Sequence, residues 1–71
     1  MSNVTYTEIP AGSVPAGIVF TVPRRHQGQA VEYAWSRGIP AGKAADMEAG
    51  DGDLYMRVTD ERHVITYYRR K

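Results

Sequence analysis

Two histidines are the only side chains whose ordinary pKa lies near neutral pH, and they are the first candidates for chemistry. His26 and His63, each preceded by an arginine, could serve as general acid and general base in the cleavage of RNA. Their spacing matches no catalytic pattern, and the further ligands that a metal site needs are missing. We therefore expect surface or half-buried histidines, and a small ribonuclease-type toxin is the second alternative among our functional hypotheses.

Four carboxylates within residues 46–53 form the next candidate site, because acids at this density can bind calcium. They are Asp46, Glu48, Asp51 and Asp53. An EF-hand loop needs acids at its first, third and fifth positions and glycine at its sixth, but placing Gly52 sixth puts Met47 first. We therefore expect a solvated acidic patch, and we predict no metal and no cofactor. No serine lies in a nucleophile elbow and no phosphate-binding loop is present, so we predict no enzymatic activity.

Aromatic and basic residues are concentrated near the C-terminal end of the chain. Such mixtures are typical of protein-interface centres and of surfaces that stack on single-stranded nucleic acid. A second basic pair opens the predicted helix, where the positive end of the helix dipole disfavours cations. The predicted partner-binding residues are Tyr55, Arg57, Tyr68, Arg69, Arg70, Arg24 and Arg25. Two structural alternatives stay open: the aromatics pair across strands, and the terminal Arg-Arg-Lys only improves solubility.

The balance of charge favours a protein partner over nucleic acid. Nine basic and eight acidic residues leave a net charge of +1 and an isoelectric point near 8.1, whereas nucleic-acid-binding domains commonly exceed about 9. The acidic patch would also repel phosphate. The sequence has no cysteine, no apolar run of membrane-spanning length and no secretory leader pattern, so we expect a reducing, cytoplasmic location and no membrane partner.

The 71 residues are enough for one small domain with a small core. Isoleucine, valine, leucine and phenylalanine together supply only 13 of them, so a homodimer would be a natural way to bury more apolar surface. Isoleucine and valine total eleven against one leucine. This excess of β-branched residues favours strands over a helical bundle.

Hydrophobic periodicity predicts two strands and a helix in the first half of the chain. Residues 4–9 alternate weakly and predict an edge strand, within a stretch up to residue 16 that could also be irregular. Residues 17–22 predict a second strand, and residues 25–37 predict a helix that ends at Gly38. The apolar stripe of this helix, expected to face the sheet, comprises Gln27, Ala30, Val31, Ala34 and Trp35.

The second half predicts a short helix and a hairpin. Pro40 can begin a helix that ends by Gly50, and residues 53–60 and 63–69 alternate as strands. A two-residue turn at Asp60-Glu61 pairs Met56 with Ile65 and Leu54 with Tyr67, and this is the register that we prefer. A three-residue loop pairs Met56 with Thr66 and Leu54 with Tyr68, so the register decides which tyrosine is buried.

The predicted fold is an α+β layer: a small antiparallel sheet of three or four strands with one main amphipathic helix and a second short helix on one face. The favoured function is a non-enzymatic interaction protein that blocks a larger protein or nucleoprotein partner sterically or electrostatically. A phage or mobile-element inhibitor of host defence, such as an anti-CRISPR protein, is the extension of this hypothesis. The first alternative is a nucleic-acid-binding domain that uses the basic-aromatic face of the hairpin.

Overall fold

One antiparallel sheet organises the molecule, and a computed structural model describes it for residues 4–23 and 29–71. Within those residues the sheet has five strands in the order β1-β5-β4-β3-β2. The strands are β1 (Tyr6–Ile9), β2 (Phe20–Thr21), β3 (Asp46–Gly50), β4 (Tyr55–Thr59) and β5 (Ile65–Arg70). One α-helix, α1 (Ala30–Ser36), and two short 3-10 turns, Ala11–Ser13 and Ala41–Lys43, complete the described elements. The α+β class is confirmed, but the sheet has more strands than the three or four predicted.

The additional strand is β3, which occupies the stretch predicted as a second helix and an acidic loop. Only the 3-10 turn Ala41–Lys43 is helical there. Met47 and Ala49 are buried while Asp46 is exposed, so residues 46–50 alternate with the period of a strand. β3 pairs along its whole length with β4 and at Ala49 and Gly50 with β2, and this pairing outweighs the helix propensity of its alanine, methionine and glutamate.

The core lies between α1 and one face of the sheet. Its buried members are Tyr6, Tyr33, Ala34, Ile39, Ala44, Met47, Ala49, Met56, Val58 and Tyr68. Helix α1 contributes Tyr33 and Ala34, whereas Trp35 is 72% exposed and Val31 is 44% exposed. The predicted apolar stripe is confirmed at Ala34, and at Ala30, which packs against the core, but it is wrong for Val31 and Trp35. The helix is rotated so that Tyr33, and not Trp35, faces the sheet. The predicted first turn of the helix, including Gln27, lies outside the described residues.

The β4–β5 hairpin is confirmed, but both predicted registers are wrong. Thr59 pairs with Ile65 and Met56 pairs with Tyr68, across a loop of residues 60–64. The Asp60 carboxylate accepts hydrogen bonds from the backbone N–H groups of Arg62 and Val64 at 2.8 and 3.0 Å. The bond from Val64 is the main reason that the pKa of Asp60 is lowered. This longer loop buries Tyr68 on the α1 side and leaves Ile65 half exposed.

Gly38 ends α1, as predicted, and also allows β1 to approach the helix. Its φ of +82° is the left-handed conformation of a helix C-terminal glycine, and its N–H bonds to the Trp35 carbonyl at 3.1 Å. A Cβ atom at this position would lie 2.6 Å from the Val4 carbonyl oxygen. The chain entering β1 therefore packs where a side chain would be.

No helix within residues 4–23 and 29–71 is long and apolar enough to span a membrane.

We predict that Gly38→Ala lowers the free energy of unfolding by about 2 kcal/mol or more, because it combines backbone strain with a steric clash. Urea unfolding followed by far-UV circular dichroism measures the loss. Gly12→Ala is the matched control, because a Cβ at Gly12 meets no atom within 4 Å. Equal stabilities of the two variants would contradict the packing of β1 against the end of α1.

Candidate functional site

The outer sheet face, opposite α1, carries part of the predicted partner-binding set. Strand alternation and register place Tyr55 and Arg57 of β4 on this face, next to Tyr67 and Arg69 of β5. Phe20 of β2 reaches the same cluster, with its ring in an edge-to-face contact 5.9 Å from the ring of Tyr67. The structure thus brings three of the predicted residues together and adds two aromatic rings.

Arg57, at the centre of this face, is already held by neighbouring side chains. Its Nε and Nη2 both donate to Glu48 Oε2, the former at 2.8 Å, and its guanidinium carbon lies 4.8 Å from the centre of the Phe20 ring. Burial alone would lower the pKa of Arg57, but the contacts with Glu48 and Tyr67 outweigh it and raise the pKa. The guanidinium group of Arg57 therefore makes contacts within the fold, and these contacts reduce its availability to a partner.

Tyr55 is also unavailable, since it is only 8% exposed. It pairs across the sheet with Gly50. A Cβ on Gly50 would lie 2.6 Å from Ile18 Cγ2 and 3.4 Å from Phe20 Cδ1, so the chain around β2 lies directly over this part of the outer sheet face. The prediction that Tyr55 is exposed for docking is therefore wrong, because its side chain is buried.

The remaining predicted partner-binding residues are spread over the molecule. Tyr68 lies on the α1 side of the sheet at 4% exposure, and its hydroxyl has no hydrogen-bond partner among the described residues. Arg70 is half-buried on that same side, paired with Tyr6, while Arg69 is exposed on the outer sheet face. Arg24 and Arg25 lie outside the described residues. The prediction that the hairpin residues share one face is therefore wrong for Tyr68 and Arg70, because neighbouring residues of β5 point to opposite sides.

The predicted acidic patch is also divided. Asp46 and Asp51 are exposed, but Glu48 is paired with Arg57 and Asp53 belongs to another cluster. Asp53 Oδ2 lies 2.6 Å from Arg37 Nη2 and accepts a hydrogen bond from the Tyr33 hydroxyl at 3.1 Å. Two of the four carboxylates thus form ion pairs inside the fold instead of a solvated loop.

The Asp53 cluster connects the turn after β3 to α1 and β1. The Tyr6 hydroxyl donates to the Asp53 carbonyl at 2.6 Å, and the Arg37 guanidinium stacks 4.9 Å from the centre of the Tyr33 ring. Burial, followed by the nearby Asp53 carboxylate, raises the pKa of Tyr33 to about 12. Burial also raises the pKa of Tyr6. These hydroxyls are therefore held in the neutral, hydrogen-bonding form.

The structure gives no distance between the two histidines, because it describes only His63. His63 lies exposed in the β4–β5 loop with a positive φ of 64°, and His26 lies outside the described residues. Across the described parts of the chain, no three histidine, aspartate or glutamate side chains lie close enough together to hold a metal ion.

The exposed side of α1 is the surface that sequence reasoning missed. Val31 and Trp35 are one helical turn apart and both are exposed. Beside them is an open cleft of about 440 Å³. It is lined by Gln29, Ala30, Val31, Glu32, Ala44, Ala45 and Glu61. We name Val31 and Trp35 the Trp35 surface, and the neighbouring space the α1 cleft. Helical spacing does not identify this surface, because Ala30, Tyr33, Ala34 and Arg37 form a stripe as regular as the predicted one, and the two stripes share Ala30 and Ala34.

No protein-family model, curated protein or solved structure matches the chain.

We predict that Arg57→Ala lowers the free energy of unfolding by about 1–2 kcal/mol, because Glu48 loses its partner and Phe20 loses the stacked guanidinium. Chemical denaturation measures the change. Arg69→Ala is the control on the same face, and it should stay within about 0.5 kcal/mol of the parent protein. A loss of similar size in both variants would show that Arg57 has no special role in the fold.

We predict that stability falls as the pH rises from about 10 towards 12, since the folded state favours the neutral form of Tyr33. The stabilisation is complete below the pKa of about 10 of an unfolded tyrosine and disappears above the folded value. Tyr33→Phe should reduce this dependence and cost about 1 kcal/mol at neutral pH. Tyr68→Phe should cost almost nothing at neutral pH, because its hydroxyl has no described partner. Urea titrations between pH 7 and 11 test this, and an unchanged slope for Tyr33→Phe would contradict it.

Proposed function

We propose that this protein is a non-enzymatic binding domain that docks onto a larger protein through the Trp35 surface and blocks the surface that it covers. The observation that carries the proposal is the 72% exposure of Trp35, the single tryptophan of the chain. Tryptophan is among the residues that most often dominate the binding energy of protein interfaces.

The side chain of Trp35 is not part of the core of the described fold. Helix α1 is anchored by Tyr33 and Ala34, which are 2% and 0% exposed, so the indole is left for another use. A tryptophan side chain presents on the order of 200 Å² of surface, and its burial against a partner is worth several kcal/mol before binding costs. Val31, one turn earlier, widens the same apolar surface.

This proposal moves the docking face from the hairpin to α1. The outer sheet face has less to offer, since Tyr55 is buried and Arg57 is held by Glu48. The engagement of Arg57 also weakens the nucleic-acid alternative, because Arg57 is one of the cations of the basic-aromatic hairpin face on which that alternative rests. Arg69 is the predicted cation that remains exposed there.

The blocking mechanism is steric, because a helix with an exposed tryptophan can occupy a groove that another ligand needs. Glu32 and Glu61 lie beside the Trp35 surface and favour a partner with a basic surface. Proteins that bind nucleic acid present such surfaces to phosphate. A nuclease complex of host defence, as in the anti-CRISPR hypothesis, therefore remains within the proposed class of partner.

We predict that Trp35→Ala weakens partner binding by about 2 kcal/mol or more, roughly 30-fold, and leaves the stability within about 0.5 kcal/mol. The measurement is affinity capture from the native host, followed by calorimetry on the captured partner. Val19→Ala is the control, since Val19 is 74% exposed next to β2, on the side of the outer sheet face. Partner binding that survives Trp35→Ala unchanged would refute the proposal, and so would a homodimer that buries Trp35 and excludes the partner.

A further inference from the structure

The α1 cleft adjoins the Trp35 surface at Val31, and its lining combines apolar side chains with two glutamates. Its apolar lining comes from Ala30, Val31, Ala44 and Ala45, where α1 begins and the chain enters β3. The three alanines have small side chains, which leaves a volume of about 440 Å³ between the two segments. This volume lies at the lower end of the range of ligand-binding sites and is enough for one or two large side chains.

The polar part of the lining is acidic. Glu32 and Glu61 are both exposed, and neither forms an ion pair with any residue that the structure describes. Arg62 lines the adjoining cleft together with Asp60 and Glu61. The Asp60 carboxylate is occupied by the backbone of its own loop. The two glutamates therefore leave the cleft with negative charge that no described neighbour neutralises by direct contact.

We propose that the α1 cleft takes a large apolar side chain of the partner protein, flanked in the partner chain by lysine or arginine. This inference rests on the proposed function, because the cleft adjoins the Trp35 surface and one partner segment would contact both. The small alanine side chains of the cleft leave room for the apolar group, while the carboxylates of Glu32 and Glu61 pair with the flanking lysine or arginine. Charge complementarity selects this occupant over an acidic peptide or a nucleic acid, which the same carboxylates repel.

The test uses a random peptide display library selected on the immobilised full chain, followed by titration of the enriched peptides. We expect enriched sequences that place Lys or Arg within two positions of a large apolar residue. Binding should shift the fluorescence of Trp35, the single tryptophan, and should weaken when the salt concentration rises from 0.05 to 0.5 M, values chosen to span the range in which screening becomes strong. No enrichment, or enrichment of acidic sequences, overturns the inference.

Substitution separates the cleft from the rest of the surface. Glu32→Gln combined with Glu61→Gln should weaken the selected peptides by about tenfold, as expected when rim charges that complement a ligand are removed. Asp46→Asn combined with Asp51→Asn removes the same charge from exposed positions elsewhere and should leave the affinity unchanged. Equal losses in the two double variants would show a nonspecific charge effect and overturn the inference.

The natural partner distinguishes the two proposals. If Trp35→Ala abolishes partner binding and the Glu32/Glu61 double variant binds normally, the result supports docking through the Trp35 surface and contradicts the proposed role of the α1 cleft. If both variants bind normally, both proposals fall. Loss of partner binding in both variants, with thermal unfolding unchanged, supports both.

Discussion

The ion pair between Asp53 and Arg37 is the constraint on which the arrangement of this domain depends. Asp53 lies in the turn between β3 and β4, and through Arg37, Tyr33 and Tyr6 it connects that turn to α1 and β1. These contacts draw Tyr33 towards the sheet and so set the rotation of α1. Because residues two positions apart lie on nearly opposite sides of an α-helix, directing Tyr33 inward directs Trp35 outward. The exposed tryptophan is thus a consequence of how the domain is held together.

Ion pairing within the fold also explains why the acidic run of residues 46–53 does not form a separate acidic patch on the surface. Glu48 and Asp53, half of the acidic run, are paired with Arg57 and Arg37. Partly buried pairs of this kind orient the elements that they join, although their net contribution to stability is modest. The carboxylates that remain for a partner include Glu32 and Glu61, which are distant in sequence and meet at one cleft.

The two faces of the sheet therefore have different roles. One packs against α1, and the other is partly closed by the chain around β2, with Phe20 and Ile18 over Gly50. A five-stranded sheet covered on one side and partly on the other gives this small domain more buried surface than a bare hairpin layer would. Val31, Trp35 and the α1 cleft leave apolar surface exposed on the side of α1 that faces away from the sheet.

The sequence by itself determined the α+β class, the β4–β5 hairpin, the edge strand β1 and the end of α1 at Gly38, because alternation, β-branched residues and a C-terminal glycine act locally. Tertiary structure decided the strand identity of residues 46–50, the hairpin register and the inward side of α1. Each of these choices depends on contacts that local periodicity does not specify: pairing with β2 and β4 for β3, the loop around Asp60 for Tyr68, and Asp53 for Tyr33. A spacing rule cannot distinguish Tyr33 from Trp35 as the buried aromatic, because only the folded chain brings Asp53 to the tyrosine hydroxyl.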